Sequence, residues 1–317
     1  LMFLFAIAGT IFNIVGPKIL GKATTELFNG LVAKVNGTGS IDFEKIGRIL
    51  ADAGLYHWGV ASFSDALPLL ECRAAVRLPQ NARSVIVCLL GYYAGERAHN
   101  ISRYAWARDY HVLAEELLSP AVQQMREIWP AQAFSFFTDN SPIREVTAAR
   151  LAGLGFVGNN GLLISPVYGT YHFIAEIVTD LWLEPSMPME SGCEVCRRCL
   201  DACPAGALSP AGVDKSRCRS HITQKKGELT DWEQQQVQKG GLAWGCDICN
   251  EVCPYNRPPK RTDIPAFCQE LDGMIREEDL PRLIKERAFG YRGIKVLQRN
   301  LRIIKRKASG GGPDTGE

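Results

Sequence analysis

The sequence has no phosphate-binding loop. None of its 317 residues fall into GxxxxGK[ST], which excludes a P-loop nucleotide hydrolase. It also lacks a charge bias: 36 Lys and Arg against 34 Asp and Glu leave a net charge of +2. Bulk charge therefore argues for no class of partner. Cysteine is too sparse for a disulfide scaffold, at eleven in the chain, an odd number. No internal repeat is visible apart from the cysteine motifs. The chain lacks the basic start of a signal peptide.

What is present suits a folded protein. The hydrophobic content of 46% supports a sizeable core, and the charged content of 22% is ordinary for one. The N-terminal stretch LMFLFAIAGTIFNIVGPKIL (1–20) is uncharged until Lys18. A membrane span needs roughly 20 apolar residues, and Gly9, Asn13, Gly16 and Pro17 weaken it as one. Residues 1–50 resemble the first membrane-helix region of a bacterial ABC exporter, without the rest of such a transporter. The expectation is a foreign segment over 1–40, from gene fusion or misassembly. A membrane anchor at 1–20 and an ordinary core helix are the alternatives.

After the loop NGTGS (36–40), periodicity predicts alternating elements. FEKIGRILADAGL (43–55) and RDYHVLAEELLSPAVQQMREI (108–128) read as helices. HWGVASF (57–63), SVIVCLLGY (84–92), FSFFTD (134–139) and HFIAEIVTDLWL (172–183) read as strands. SPIREVTAARLAGLG (141–155) reads as a helix with Ser141 as N-cap and Pro142 in its first turn. The predicted organisation is an α/β layer domain over 41–185 and a cysteine-rich domain over 186–260. A basic helical extension with a flexible tail follows over 261–317. In the cysteine-rich part, 227–240 is the one predicted helix. Residues 282–307 carry ten Lys or Arg against one Glu.

Eight of the eleven cysteines lie between 193 and 253. CEVCRRCLDACP (193–204) fits C-x₂-C-x₂-C-x₃-C-P, in which the fourth cysteine of a run ligates the other cluster of a two-cluster ferredoxin. CDICNEVCP (246–254) is the same run without its first cysteine, whose place is taken by Ala243. Cys218 lies between the motifs and completes the count. Crossed pairing assigns Cys193, Cys196, Cys199 and Cys253 to one [4Fe–4S] cluster, and Cys203, Cys218, Cys246 and Cys249 to the other. A pair of zinc ribbons is the alternative for the same thiolates. Clustered spacing implies a reducing compartment, hence a cytoplasmic protein. Cys72, Cys88 and Cys268 have no paired spacing and read as buried free thiols.

Two further stretches carry candidate chemistry. SRYAWARDYH (102–111) gathers Arg103, Tyr104, Arg108, Asp109 and His111 at a helix start, and a solvated helix end fits the same pattern. TDNSPIRE (138–145) puts Asp139 just past a strand, where it can either act in chemistry or cap the next helix. AGLGFVGNNGLLIS (152–165) follows, with glycines that allow close backbone approach to a bulky ligand. It follows a helix rather than a strand, the wrong context for a dinucleotide fingerprint.

These segments, with YGTYHFIAEIVTDL, CRSHIT and GCDICNEVCPYN, resemble the tRNA epoxyqueuosine reductase family in family order. They run from about 45 to 260, roughly two-thirds of the chain. The resemblance implies an α+β fold: a nitroreductase-like cobalamin-binding domain followed by a two-[4Fe–4S] ferredoxin-like domain. It implies reduction of epoxyqueuosine to queuosine at the tRNA wobble position, with cobalamin as second cofactor. It puts the catalytic acid at Asp139, whose pKa would have to be raised, as desolvation in a corrin-lined pocket could do. Tyr104, His111, Asp139, Gly158, Asn160, Ser220 and Thr223 fall at the implied cofactor contacts. The implied partners are tRNA and an external electron donor such as a ferredoxin or flavodoxin, and a monomer is expected.

The sequence departs from the family pattern at four places. Asn159 replaces a Lys, and Ser141 is displaced by Asn140 from its place after the acid. His221 replaces a Tyr, and the C-terminal helical repeats of long members are missing. The basic segment 282–307 is expected to contact phosphates in their stead, unless it is only a solvated helix face. The alternatives are a corrinoid iron–sulfur reductase of a small molecule, with dehalogenase-like chemistry, and a non-enzymatic electron-transfer ferredoxin.

Overall fold

The computed structural model describes residues 40–193 and 195–309. The expected foreign segment, apart from Ser40, and the expected tail at 310–317 lie outside the described residues. No helix among the described residues is long and apolar enough to cross a membrane.

A four-stranded sheet organises the first half of the chain. Its strands are β1 (Trp58–Ser62), β2 (Ser84–Gly91), β3 (Phe134–Thr138) and β6 (His172–Thr179). Their order is β1-β2-β6-β3, and every pairing is antiparallel. All eight residues of β2 are buried, which explains its unbroken apolar run. Side chains alternate across a strand, so this run feeds two cores. Ile86, Cys88 and Leu90 pack with α1 (Ser40–Asp52) and α2 (Tyr110–Ile128). Val85, Val87 and Leu89 pack on the other face with α3 (Glu145–Leu151). The result is a sheet between helical layers. A small hairpin, β4 (Phe156–Val157) and β5 (Leu163–Ile164), follows α3.

Two local expectations are corrected. The third helix begins at Glu145, with Arg144 rather than Ser141 as N-cap. Ser141 is drawn inward instead: it donates to Glu176 and accepts the Ile143 amide at 3.1 Å. A buried carboxyl outcompetes the helix end for that hydroxyl. The cysteine-rich region also holds more helix than the one segment expected. α4 (Arg198–Ala202), α5 (Arg219–Gln224) and α7 (Ile248–Glu251) accompany α6 (Asp231–Gly240). These short turns escape a periodicity reading because four to six residues cannot show a 3.6-residue repeat. α6 itself opens on a capping box between Thr230 and Glu233 and closes on Gly241.

The C-terminal part, with α8 (Leu280–Glu286) and α9 (Ile294–Ser309), packs onto both earlier parts. Leu280, Leu283, Phe289, Leu297 and Leu301 share a core with Ile101, Trp106, Ala243 and Trp244. The basic segment is partly consumed inside the protein. Arg287 is 2% exposed and pairs with Asp272, and Arg299 donates to the carbonyls of Lys225 and Gly227. Of the three lone cysteines, only Cys88 is fully buried; Cys72 is half-buried and Cys268 is exposed. Cys268 ends a short 3-10 turn whose inward residue is Phe267, which leaves the thiol facing solvent.

Candidate functional site

The two cysteine runs meet across α4 and α7, which pack against each other. Their turns close on local backbone bonds, Cys196 N–H to Cys193 O at 3.2 Å and Cys253 N–H to Asn250 O at 3.1 Å. Cys193, Cys196, Cys199 and Cys253 line one small cavity together with Asn159, Asn160 and Tyr255. Cys203, Cys218, Cys246 and Cys249 line another, much larger cavity of about 540 Å³. The last cysteine of each run thus faces the other run's set. Cys218 stands at the N-cap of α5, and the Cys203 Sγ accepts the Ala207 amide at 3.3 Å.

Ala243, where a first cysteine of the second run would stand, is fully buried. Its amide donates to Asn100 O at 2.6 Å, and its carbonyl accepts from Asn300 at 2.8 Å. Among the described residues, no three His, Cys, Asp or Glu side chains converge closely enough to hold a single metal ion. A cubane cluster does not need that convergence, because each thiolate binds a different iron. The donor set, four thiols per cavity, fits such clusters.

Asn159, noted from sequence only as a departure, bridges the hairpin loop to the first cysteine loop. Its side-chain amide donates to the carbonyls of Cys193 and Cys196, at 3.1 and 2.7 Å. A Lys could donate there too, but the amide makes the bridge without adding a charge beside the thiolates.

The large cavity lies between the sheet and the cysteine region. The sheet side contributes Tyr92, Tyr104, Asn160, Thr170, His172 and Phe173; the opposite side adds Lys215, Ser220 and His221. Tyr104 rides on a 3-10 turn, Arg103–Ala105, and its hydroxyl accepts from the Trp244 indole at 2.5 Å. Arg103 pins that turn. It is 7% exposed and donates to Glu96 and Glu251 at 2.7 and 2.6 Å, with Asp247 close by. Of these carboxylates only Asp247 is buried; Glu96 and Glu251 reach Arg103 from the surface.

His172 was not singled out from sequence, since in an apolar strand it looks like one polar position. Its Nδ1 is buried without a hydrogen-bond partner, and burial, opposed by a backbone hydrogen bond from the ring to Gly169, lowers its pKa to about 4. The ring is therefore neutral at pH 7. An orphaned polar atom in the wall of a largely apolar chamber suits a bound polar ligand group.

Of the residues implied at the cofactor contacts, Tyr104, Asn160 and Ser220 line this cavity. Gly158 and Thr223 are not among its lining residues. Gly158 belongs to the β4–β5 turn, where a Cβ would stand 2.5 Å from Ile164 Cδ1. Thr223 braces from behind, donating to Ser220 O and accepting the Gly245 amide, each at 2.9 Å.

Asp139 and His111 form a separate cluster at the cavity's flank. Tyr110 stacks on Phe173 with ring centroids 4.0 Å apart, and His111 stacks on Tyr110 at the same distance. His111 Nδ1 lies 2.7 Å from Asp109 Oδ1, and its Nε2 lies 3.3 Å from Asp139 Oδ2. Asp139 adopts the left-handed region at φ 61°, a conformation short polar residues tolerate.

In the protein alone, the pKa of Asp139 is lowered and not raised. The His111 hydrogen bond, helped by Tyr110, outweighs desolvation and lowers it. The side chain is 66% exposed, so desolvation is incomplete. The proton resides on the partner: burial disfavours the His111 cation, but its bonds to Asp109 and Asp139 outweigh burial and raise its pKa to about 9. Behind this cluster, burial raises both Glu145 and Glu176 to about 8, with Glu176 adding to the shift of Glu145.

Comparison with known proteins follows the same division. Residues 192–256 match the family model described as a 4Fe-4S double cluster binding domain. Residues 73–140 match that of epoxyqueuosine reductase QueG, DUF1730. The chain is 40% identical over 196 residues to the epoxyqueuosine reductase of Synechocystis sp., covering 59% of this chain and 68% of that protein. It is 32% identical over 251 residues to that of Leadbetterella byssophila, covering 72% and 79%. A solved structure of an epoxyqueuosine reductase with a tRNA-Tyr epoxyqueuosine-modified stem loop shares the fold. Its TM-score is 0.71 at 24% identity, over 82% of this chain and 80% of that one. With relatives this similar over most of their length, and with both cysteine runs in place, the chain belongs to the epoxyqueuosine reductase family.

Proposed function

We propose that this protein reduces epoxyqueuosine to queuosine in the wobble position of tRNA, using two [4Fe–4S] clusters and a corrinoid. The observation that carries this reading is the shared cavity: Cys203, Cys218, Cys246 and Cys249 border the same chamber as Tyr104, His172 and Phe173. A pure electron carrier has no need of a chamber that size beside its cysteines.

Cys193, Cys196, Cys199 and Cys253 would hold the outer cluster, and the other four the inner one. The apolar chamber walls and the orphaned His172 nitrogen fit a corrinoid with polar substituents. When bound, these groups supply the two electrons of the reduction one at a time. The chain's own residues manage protons and position. The His111 imidazolium, aligned by Asp109, shares its proton with Asp139, and this pair protonates the departing epoxide oxygen. Asp139 is thus the acid of a couple and takes its proton from His111.

The basic residues left exposed on the C-terminal part, Lys285, Lys295 and Arg306, together with Lys215 at the chamber, are suited to phosphate contacts with a tRNA stem-loop. The solved relative with a modified stem loop supports that substrate. Eleven unpaired cysteines suit a reducing compartment such as the cytoplasm.

The test is anaerobic reconstitution with iron, sulfide and cobalamin, followed by incubation with an epoxyqueuosine-containing anticodon stem-loop and a strong reductant. The expected result is corrinoid binding and loss of one oxygen from the modified nucleoside by mass spectrometry. Corrinoid binding without stem-loop turnover would move the substrate to a small molecule, and no corrinoid binding would refute the reading.

A further inference from the structure

Beneath the Asp139 loop lie two carboxyl groups that the reaction so far leaves unused. Glu176 sits mid-strand in β6, opposite Phe137 of β3, and is fully buried. Glu145 opens α3, which packs on β6. One oxygen of each, Glu145 Oε1 and Glu176 Oε1, is buried with no hydrogen-bond partner. Ser141 donates to the other oxygen of Glu176, and the Asp139 backbone amide donates to Glu145.

An ionised carboxylate only accepts, so a buried oxygen without a donor is costly to leave bare. A protonated carboxyl removes that cost and gains an O–H of its own. Two such oxygens on adjoining elements, neither of them with a donor, are the geometry of a proton held in the interior. The charged groups that act on Glu145 are Glu176, Asp139 and His111; the Ser141 hydroxyl is the polar group on Glu176.

The proposed reaction needs such a store. Converting an epoxide to an alkene takes two electrons and two protons; both C–O bonds break and the oxygen leaves as water. The His111–Asp139 pair carries one proton near neutral pH. A second must reach the same place within each turnover.

We propose that Glu145 and Glu176 form a buried carboxyl pair that stores a proton and returns it to the His111–Asp139 couple, beside the loop whose Asp139 amide Glu145 accepts. This role rests on the reading of Asp139 as part of the acid couple. The pair's raised affinity sets its working range: it is loaded below about pH 8 and empties above it. Both residues act through Asp139 and need not touch the substrate.

Infrared spectroscopy of the reconstituted protein tests the store without substrate. A protonated-carboxyl C=O band should be present at neutral pH, fade as pH rises through about 8, and be lost in Glu145→Gln combined with Glu176→Gln. In turnover, Glu145→Gln keeps an acceptor for the Asp139 amide but cannot carry a proton. Its kcat should fall about tenfold or more and its alkaline limb should change, with KM and corrinoid content retained. Glu176→Gln should shift the same limb, which covers the case in which the first variant folds poorly. Absence of the band at neutral pH, or wild-type kcat and pH profile in a folded Glu145→Gln protein, would overturn the proposal. A wild-type protein that shows the band but turns over no stem-loop would instead count against the proposed function.

Discussion

At the residue scale, one imidazole between two carboxylates changes where the acid's proton is kept. Sequence pointed to Asp139 and required its pKa to rise. In the protein alone, His111 is close enough to hold the proton, and Asp139, 66% exposed, stays ionised. The pH consequence follows from the sign. His111 is raised from 6.5 to about 9, so the imidazolium of the pair persists through neutral pH and is lost as pH rises through about 9. Turnover by the wild type should fall across that upper range. Asp139→Asn should keep the clusters and corrinoid yet lower turnover by roughly 10²–10⁴-fold. Retained activity in that variant would remove Asp139 from the acid couple.

At the element scale, the site is assembled by loops that cross between the sheet and the cysteine region. The loop before β6 is the tightest of them. Gly169 has φ 57°, and a Cβ there would stand 1.8 Å from Asn256 Oδ1. Asn256 in turn accepts the Thr170 amide at 2.8 Å and donates to Thr170 Oγ1 at 2.7 Å. Both the left-handed conformation and the close approach demand glycine. Gly169→Ala should therefore destabilise the protein by more than about 1 kcal/mol. Chemical denaturation followed by circular dichroism would show the drop; an unchanged midpoint would mean the loop relaxes freely.

The same loops mark the limit of what the sequence discloses. Strands such as β2 are legible because a period of two with both faces buried leaves a run of apolar residues. The cysteine runs are legible because metal ligation fixes spacing. The pairing of His111 with Asp139, 28 positions apart, and of Ser141 with Glu176, 35 apart, leaves no periodic trace. Nor does the orphaned nitrogen of His172, which depends on which strand face meets the chamber. The short helices of the cysteine region are set by tight turns around thiols and not by an amphipathic repeat.

At the scale of the whole molecule, three lengths of chain enclose one working space. The sheet supplies an aromatic wall, the cysteine region closes it, and the C-terminal helices hold both through Trp244 and the core around it. Arg103 ties the first two together with three carboxylates. Electrons and protons would thus reach the chamber from opposite sides, the inner cysteine set on one and the Asp139 cluster on the other. That arrangement depends on Cys218, which stands outside both cysteine runs and is proposed as a ligand of the inner set. Cys218→Ser, reconstituted anaerobically, decides whether it serves the inner cluster. If it does, iron and sulfide fall to about half the wild-type content, the spectrum of one cluster persists, and stem-loop reduction is lost. Full iron content with wild-type turnover in that variant would contradict that role.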